Sequence, residues 1–335
     1  MTYHREPWRG RQSKWPILLV AATLLSVGFC GGQTNVPLHN SESVSIVAPN
    51  SKDAILDFAS KELARYLSRV TGHAVEIGNQ ATAHHIYLGQ IPESAPQATA
   101  RKLEMDRSKL LPDGFLIRRL GSDVVILGSN ARGTLYGAYA FLEHLGVRWF
   151  FPGPQYEIVP RRSLDWNRPL EVTESPAFRD RILFYWPNNY SPVEDWIDFC
   201  AKVRLNRIAF HYTWPATDWY FGLRKRLRPE LEKRGLAVEV GGHFLSALMP
   251  RSLFKDHPDW FRMNEQGQRV NDFNLNPFNS EALDFVASAV SKYLLRTPEA
   301  SLYHVWADDI DGGGWSHEPG KEQYTPSDQA LLVSN

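Results

Sequence analysis

From Arg181 onward the chain repeats one unit, a short apolar run followed by an amphipathic helix, and this rhythm limits its fold more than any other feature. Arg181–Trp186, Arg207–Tyr212, Leu236–Val240 and Leu302–Ala307 each read as a strand. Between them stand Val193–Val203, a loop and helix over Thr217–Arg234, and Glu281–Leu295. In the last of these Leu283, Phe285, Val286, Val290 and Leu294 recur at helical spacing. Strands that alternate with helices are joined by crossovers, and crossovers make parallel neighbours. Four such units are half of an eightfold barrel. A further helical pattern begins at Ser327–Val333, just before Asn335. The expectation is therefore the first half of a (β/α)8 TIM barrel, with the sequence breaking off inside that domain.

The residues before this rhythm follow another pattern. Val44–Val47, Val75–Ile77 and His85–Leu88 read as short strands, and Asp53–Val70 as an amphipathic helix ended by Thr71-Gly72. Pro92–Pro112 is polar and mixed, a loop with a short helix. Gly114–Arg118 and Val124–Leu127 flank the turn triplet Gly121-Ser122-Asp123, which predicts a hairpin. Ala131–Leu145 reads as a helix whose Gly133, Tyr136, Tyr139 and Ala140 suit close packing. The set predicts an α+β sandwich domain over residues 43–165. A polar stretch with Pro169 and Pro176 follows, and the barrel domain is expected over 175–335. The overall class is α/β.

The first residues carry a different signal. Arg5, Arg9, Arg11 and Lys14 precede the apolar run Pro16–Phe29, and small residues follow at Cys30-Gly31-Gly32. That run is short for a membrane span and suits a signal peptide over residues 1–32. The expected location is outside the cytoplasm: periplasmic, extracellular or membrane-anchored. An uncleaved anchor or a lipid on Cys30 is the alternative, and either would be the sole membrane contact. The remaining cysteine, Cys200, has no intrachain partner and lies on an apolar helical face, as a buried structural thiol would.

Lys+Arg and Asp+Glu are both 37, so no global field attracts nucleic acid. The compositional surplus is aromatic: 11 Trp, 13 Tyr and 17 Phe. Flat rings fill cores, and they also cover the C–H faces of a pyranose. In a parallel barrel the carboxyl ends of all strands reach one rim, so the residues after each strand predict the site. Strand one delivers Trp186, Asn188 and Asn189; strand two His211, Tyr212 and Trp214; strand three Gly241-Gly242-His243. Strand four delivers Asp308 and Asp309, then the glycine-rich loop that ends at Trp315. Paired carboxylates at such a rim can act as general acid and base on a sugar. The same residues have plainer readings: Asp and Asn favour turns, and His211 or His243 can satisfy a core or a loop. Along Pro250–Ser280, Asp272, Asn274, Asn276 and Asn279 either reach a ligand or form turns. No tight ligand spacing supports zinc at His211, His243 and Asp309, so no metal or cofactor is expected.

Several segments carry a family resemblance. ASKELARYLSRVTGHAVEI (59–77), IYLGQ (86–90), DGFLIRRLGSDVVILGSNARGTLYGAYAFLEHLGVRWFFPG (113–153) and EIVP (157–160) resemble the N-terminal domain shared by bacterial α-glucuronidases and β-N-acetylhexosaminidases. GGHFLSALMP (241–250), FKDHPDWF (254–261), LNPFNSEAL (275–283) and WADDIDGGGW (306–315) resemble a bacterial family of glycosidase-like proteins with that same N-terminal domain. SPAFRDRILFYWPNN (175–189) is similar to the first barrel strand of both enzyme groups.

The resemblance implies an accessory domain followed by a glycoside-hydrolysing barrel. Carried over by position, Asp309 is the acid and Asp308 its helper, and Arg181 matches a sugar-binding arginine. Trp186, Asn188, His211, Trp214, His243 and Trp315 complete the expected substrate-binding set. The chain has Asp-Asp where the hexosaminidases have Asp-Glu, so its acid is one methylene shorter. Ser316, His317 and Glu318 stand where similar proteins have cysteines. The function expected is an exported, glycoside hydrolase-like protein acting on a poly- or oligosaccharide, its second carboxylate lying on a later strand. The alternative is a catalytically inactive carbohydrate-binding protein.

Overall fold

The computed structural model describes residues 43–186, 191–211, 219–243, 245–272, 274–307 and 314–334. The segment read as a signal peptide, residues 1–32, lies outside them. Strand β1 (Val44–Val47) leads into α1 (Ala54–Thr71), the helix expected from Asp53 onward. Asp53 Oδ1 accepts hydrogen bonds from the Ile55 and Leu56 amides at 2.8 and 3.2 Å, a cap worth about 1 kcal/mol. Gly72 ends the helix in the left-handed conformation. Then follow β2 (Glu76–Ile77), β3 (His84–Leu88), α2 (Gln97–Ser108), β4 (Phe115–Leu120), β5 (Asp123–Gly128) and α3 (Ala131–His144). A small ribbon of β6 (Arg148–Trp149) and β7 (Glu157–Ile158) precedes β8 (Glu171–Glu174).

These strands, β6 and β7 apart, form one sheet in the order β2-β1-β3-β5-β4-β8. Side chains alternate across it, as strand geometry requires. Phe115, Ile117, Val124 and Ile126 join α1 and α3 in the main core. Leu116, Val125 and Leu127 face the opposite way and pack with Leu103 of α2. The polar stretch expected to be a boundary thus contains an edge strand: β8 pairs antiparallel with β4 from Phe115–Glu174 to Arg118–Glu171. Its composition hid it, because an exposed edge strand needs few apolar residues.

The second sheet has the order β12-β11-β10-β9, all parallel. Its elements run β9 (Ile182–Tyr185), α4 (Val193–Lys202), β10 (Arg207–His211), α5 (Trp219–Glu232) and β11 (Ala237–His243). After α6 (Leu245–Leu248) and two short 3-10 turns come α7 (Ser280–Leu294), β12 (Ala300–Trp306) and α8 (Pro326–Ser334). Each strand neighbours the next in sequence, which is the wall of a (β/α)8 barrel. The helix side holds Leu183, Tyr185, Ile208, Phe210, Val238 and Val240 against Ile197, Cys200, Leu227 and Val286. Cys200 is fully buried there, as expected, and burial pushes its thiol up to about 12.

The two sheets meet at the amino ends of the barrel strands. Asp113, buried and at φ 68, accepts from Arg132 at 2.9 Å, Arg181 at 2.9 Å, Asn206 at 3.1 Å and Asn130 at 3.1 Å. Arg132 also donates to the Gly235 carbonyl at 2.6 Å, and Tyr136 to that of Leu205 at 2.8 Å. Beside them Glu157 accepts from Lys202 at 2.6 Å and Arg69 at 2.9 Å, and Arg234 pairs with Asp198 at 2.7 Å. Burial pulls the Asp113 and Glu157 carboxyls upward. Hydrogen bonds from Arg181 and Arg132, and from Lys202, Tyr66 and Arg69, outweigh it and hold both below their ordinary range.

Candidate active site

The carboxyl ends of β9 to β12 gather a cluster of rings. Trp186 stacks on His211 with centroids 3.9 Å apart. His211 lies 5.7 Å from His243 and 6.0 Å from Trp306, and His243 is 5.1 Å from Trp306. One step below the rim, Phe184 stacks on Trp306 at 5.0 Å. That contact fixes the shape of the wall. β9 and β12 are the two edges of the sheet, and three interstrand steps would part them by about 14 Å if it were flat. Their side chains touch because the sheet curls, so its concave face is the inside of a barrel wall.

Backbone chemistry explains how two histidines fit there. Gly241 and Gly242 both have φ near +133 (133 and 132). A Cβ on Gly241 would sit 1.9 Å from the His304 carbonyl oxygen, and one on Gly242 2.5 Å from the His211 ring. Only glycine at both positions lets β11 run this close to β12 and under His211. His243 then bonds the Ala307 carbonyl through Nδ1 at 2.5 Å. A carbonyl only accepts, so Nδ1 carries a proton in this bond. His243 thereby fixes the exit of β12, one residue before Asp308.

Beneath the rings lies a charged layer on the same concave face. Glu239 is buried and accepts from His304 Nε2 at 2.8 Å and Arg207 at 3.1 Å. Arg207 also pairs with Asp180 at 2.7 Å and donates to Ser301 Oγ at 2.8 Å. Sequence reading missed Phe184, Glu239 and His304 as lining residues. The signal was present: stepping back by two from Trp186, from Trp306, and twice from His243 reaches each of them.

Of the residues expected at the site, Trp186, His211 and His243 come together at the rim. Asp308, Asp309, Asn188 and Trp214 lie outside the described residues. Arg181 is a correction. It precedes β9, at the amino end, and its guanidinium donates to Asp113 and to the Arg204 and Phe178 carbonyls. Position in the strand decides this: an arginine before the strand starts faces the seam, one after it ends faces the rim. Trp315 is half-buried, and among the described residues its ring meets none of the rim rings. Its carbonyl accepts from Arg262 at 3.4 Å. The amides of the long loop bond to backbone: Asn274 donates to the Gly314 carbonyl, Asn276 to that of Asp259, and Asn279 caps α7. Asp272 is paired with Arg262 at 2.6 Å.

With the geometry in view, the comparisons place the chain. Residues 33–141 match the family described as glycosyl hydrolase family 67 N-terminus. Over those residues the chain is similar to the N-terminal domain of that hydrolase family. It is 30% identical over 115 residues to α-glucuronidase A of Aspergillus tubingensis, covering 31% of this chain and 13% of that one. Against the α-glucuronidase of Hypocrea jecorina it is 29% identical over 125 residues, 36% of this chain and 14% of the other. The chain therefore spans only a small part of these relatives' length. Among solved structures, a Flavobacterium johnsoniae chitobiase superposes on 88% of this chain and 46% of its own, with TM-score 0.51 and 12% identity. A family GH115 4-O-methyl-α-glucuronidase covers 88% and 39%, with TM-score 0.50 and 15% identity. At such identities these two speak for the fold: an α+β domain followed by (β/α) barrel units.

Proposed function

We propose that this is an exported glycosidase acting on a poly- or oligosaccharide through its rim, with residues 43–165 as an accessory domain and 175–335 as the catalytic one. The observation that carries the reading is the gathering of Trp186, His211, His243 and Trp306 at the carboxyl ends of four parallel strands. In sequence, Asp308 and Asp309 follow that rim directly. Rings take the apolar faces of a sugar and imidazoles its hydroxyls. In this reading Asp309 protonates the departing glycosidic oxygen, and the neighbouring charge of Asp308 raises its proton affinity. The His243–Ala307 bond holds the end of the strand that Asp308 and Asp309 follow in sequence.

The test compares wild type, Asp309→Asn and Asp308→Asn on a panel of aryl glycosides and oligosaccharides, with sugar binding measured by calorimetry. Loss of a general acid should lower turnover by about 10²–10⁴-fold while binding persists. Equal turnover in wild type and Asp309→Asn would remove Asp309 from its role. Binding without turnover in every form would favour the carbohydrate-binding alternative. Export is tested by comparing the cellular fraction of the whole chain with that of a form lacking residues 1–32.

A further inference from the structure

Far from the rim in the fold, the first domain holds a cavity between the end of α3 and the segment that leads to β8. Arg119, Phe141, His144, Leu145, Arg162, Leu164, Asp165, Trp166, Arg168 and Leu170 line it. Its charge is lopsided: three guanidinium groups against one carboxylate leave a net of two positive charges, before any protonation of His144. The Asp165 carboxylate is already engaged. Its Oδ1 accepts from the Asn167 and Arg168 amides at 3.0 and 3.2 Å and so builds the turn.

Arg119 is the member held most firmly. It projects from β4 over the Trp166 ring at 5.3 Å, and Trp166 also stacks with His84 at 4.1 Å. Its Nη2 and Nε reach the Asp165 and Arg168 carbonyls at 3.2 and 3.4 Å, both long. Its Nη1 is buried and has no hydrogen-bond acceptor among the described residues. A buried guanidinium N–H without a partner costs free energy on the order of 1–3 kcal/mol, so such a group is commonly met by an ion or water. Arg162 and Arg168 are exposed beside it.

His144, in the last turn of α3, lines the same cavity. Burial first, then the charges of Arg168, Arg162 and Arg119, hold its imidazole below the ordinary value. The three cations therefore act together at one point. The carboxyl end of a helix adds about half a negative charge, too little to offset the net of two. We infer that this cavity binds a small oxyanion (a carboxylate, sulfate or phosphate group) gripped by Arg119 with Arg162 and Arg168 closing over it. Guanidinium forks suit the paired oxygens of such a group. The inference does not rest on the glycosidase reading. The group's source is either an inorganic anion or the acid group of a charged sugar.

The experiment uses the whole chain at constant ionic strength made up with sodium chloride. Sodium sulfate, sodium glucuronate and, as neutral control, glucose are titrated while binding is followed by calorimetry and by the NMR titration of the His144 ring. Saturable binding of sulfate, glucuronate or both is expected, with the His144 pKa rising when the anion is bound and glucose without effect. Sulfate alone would identify an inorganic anion site, and glucuronate binding an acidic-sugar site. Arg162→Gln/Arg168→Gln removes two exposed cations without disturbing the core and should weaken binding at least about tenfold. Arg119→Gln should weaken it further. No saturable binding of either anion, or affinity unchanged in both variants, overturns the proposal.

Discussion

The two ends of the second sheet are built from opposite materials. At the amino ends, Arg181, Asn206 and the Gly235 carbonyl lock onto Asp113 and Arg132 of the first domain. Those contacts are ionic or charge-assisted, and the central carboxylate is buried. At the carboxyl ends the contacts are ring on ring, and Trp186 is still 52% exposed. A barrel can divide labour in this way because all its strands point in the same direction: one end carries stability, the other carries chemistry. The first domain docks mainly at the amino ends, although Ser191, beyond β9, also donates to the Pro152 carbonyl at 3.1 Å.

The strongest way to break this contrast is at Asp113. Its removal leaves Arg132 and Arg181 facing each other without their counterion. Truncating one partner of a buried ion cluster costs roughly 3–5 kcal/mol, so Asp113→Ala should lower the melting temperature by about 5–15 °C. Calorimetric unfolding measures it, and a loss below 2 °C or so would show the seam to be incidental. Acid probes the same end. The Asp113, Glu157 and Asp198 carboxyls all lie below their ordinary values of 3.8, 4.5 and 3.8. A carboxyl depressed in the folded state contributes stability that is fully present above the ordinary value. That stability is lost as the pH falls through the folded-state value. The protein should thus lose stability progressively below about pH 4.5, and Asp113→Asn should flatten that dependence. An unchanged acid limb in the variant would mean that other carboxylates govern it.

A second substitution acts at the other end. Gly242→Ala places a methyl 2.5 Å from the His211 ring on backbone at φ 132, so ring or strand must move. The expected cost is on the order of 1–3 kcal/mol, with His211 and Trp186 NMR resonances displaced. Resonances that stay in place would show that the rim has room the geometry denies.

How far the sequence foretold this molecule follows the same division. The barrel units were legible because buried strands and their helices carry strong apolar periodicity, as at Arg207–His211 and Ser280–Leu294. Strand β8 was not, since Glu171, Thr173 and Glu174 face solvent and carry no apolar signal. At the rim, Trp186, His211 and His243 followed from knowing where each strand ends. Arg181 entered the expected set by resemblance alone, and in the fold its guanidinium meets Asp113 at the start of the strand. Asp113 gave no warning at all: Pro-Asp-Gly reads as an ordinary turn. Its importance depends on Arg132, Arg181 and Asn206, which only the tertiary fold brings together.

The smallest effect on stability should come from Trp186→Ala, and it sharpens the contrast most. The indole stacks on His211 and is about half exposed. Losing a stacked pair at such a site costs about 0.5–1.5 kcal/mol, far less than losing Asp113. If the rim is a sugar platform, the same change should lower sugar affinity by roughly tenfold, because a pyranose there would pack on the rim's rings. The two readouts then separate: Asp113→Ala shifts melting and leaves the affinity of the folded fraction intact, whereas Trp186→Ala does the reverse. If Trp186→Ala moves both or neither, the assignment of stability to one end of the sheet and recognition to the other fails.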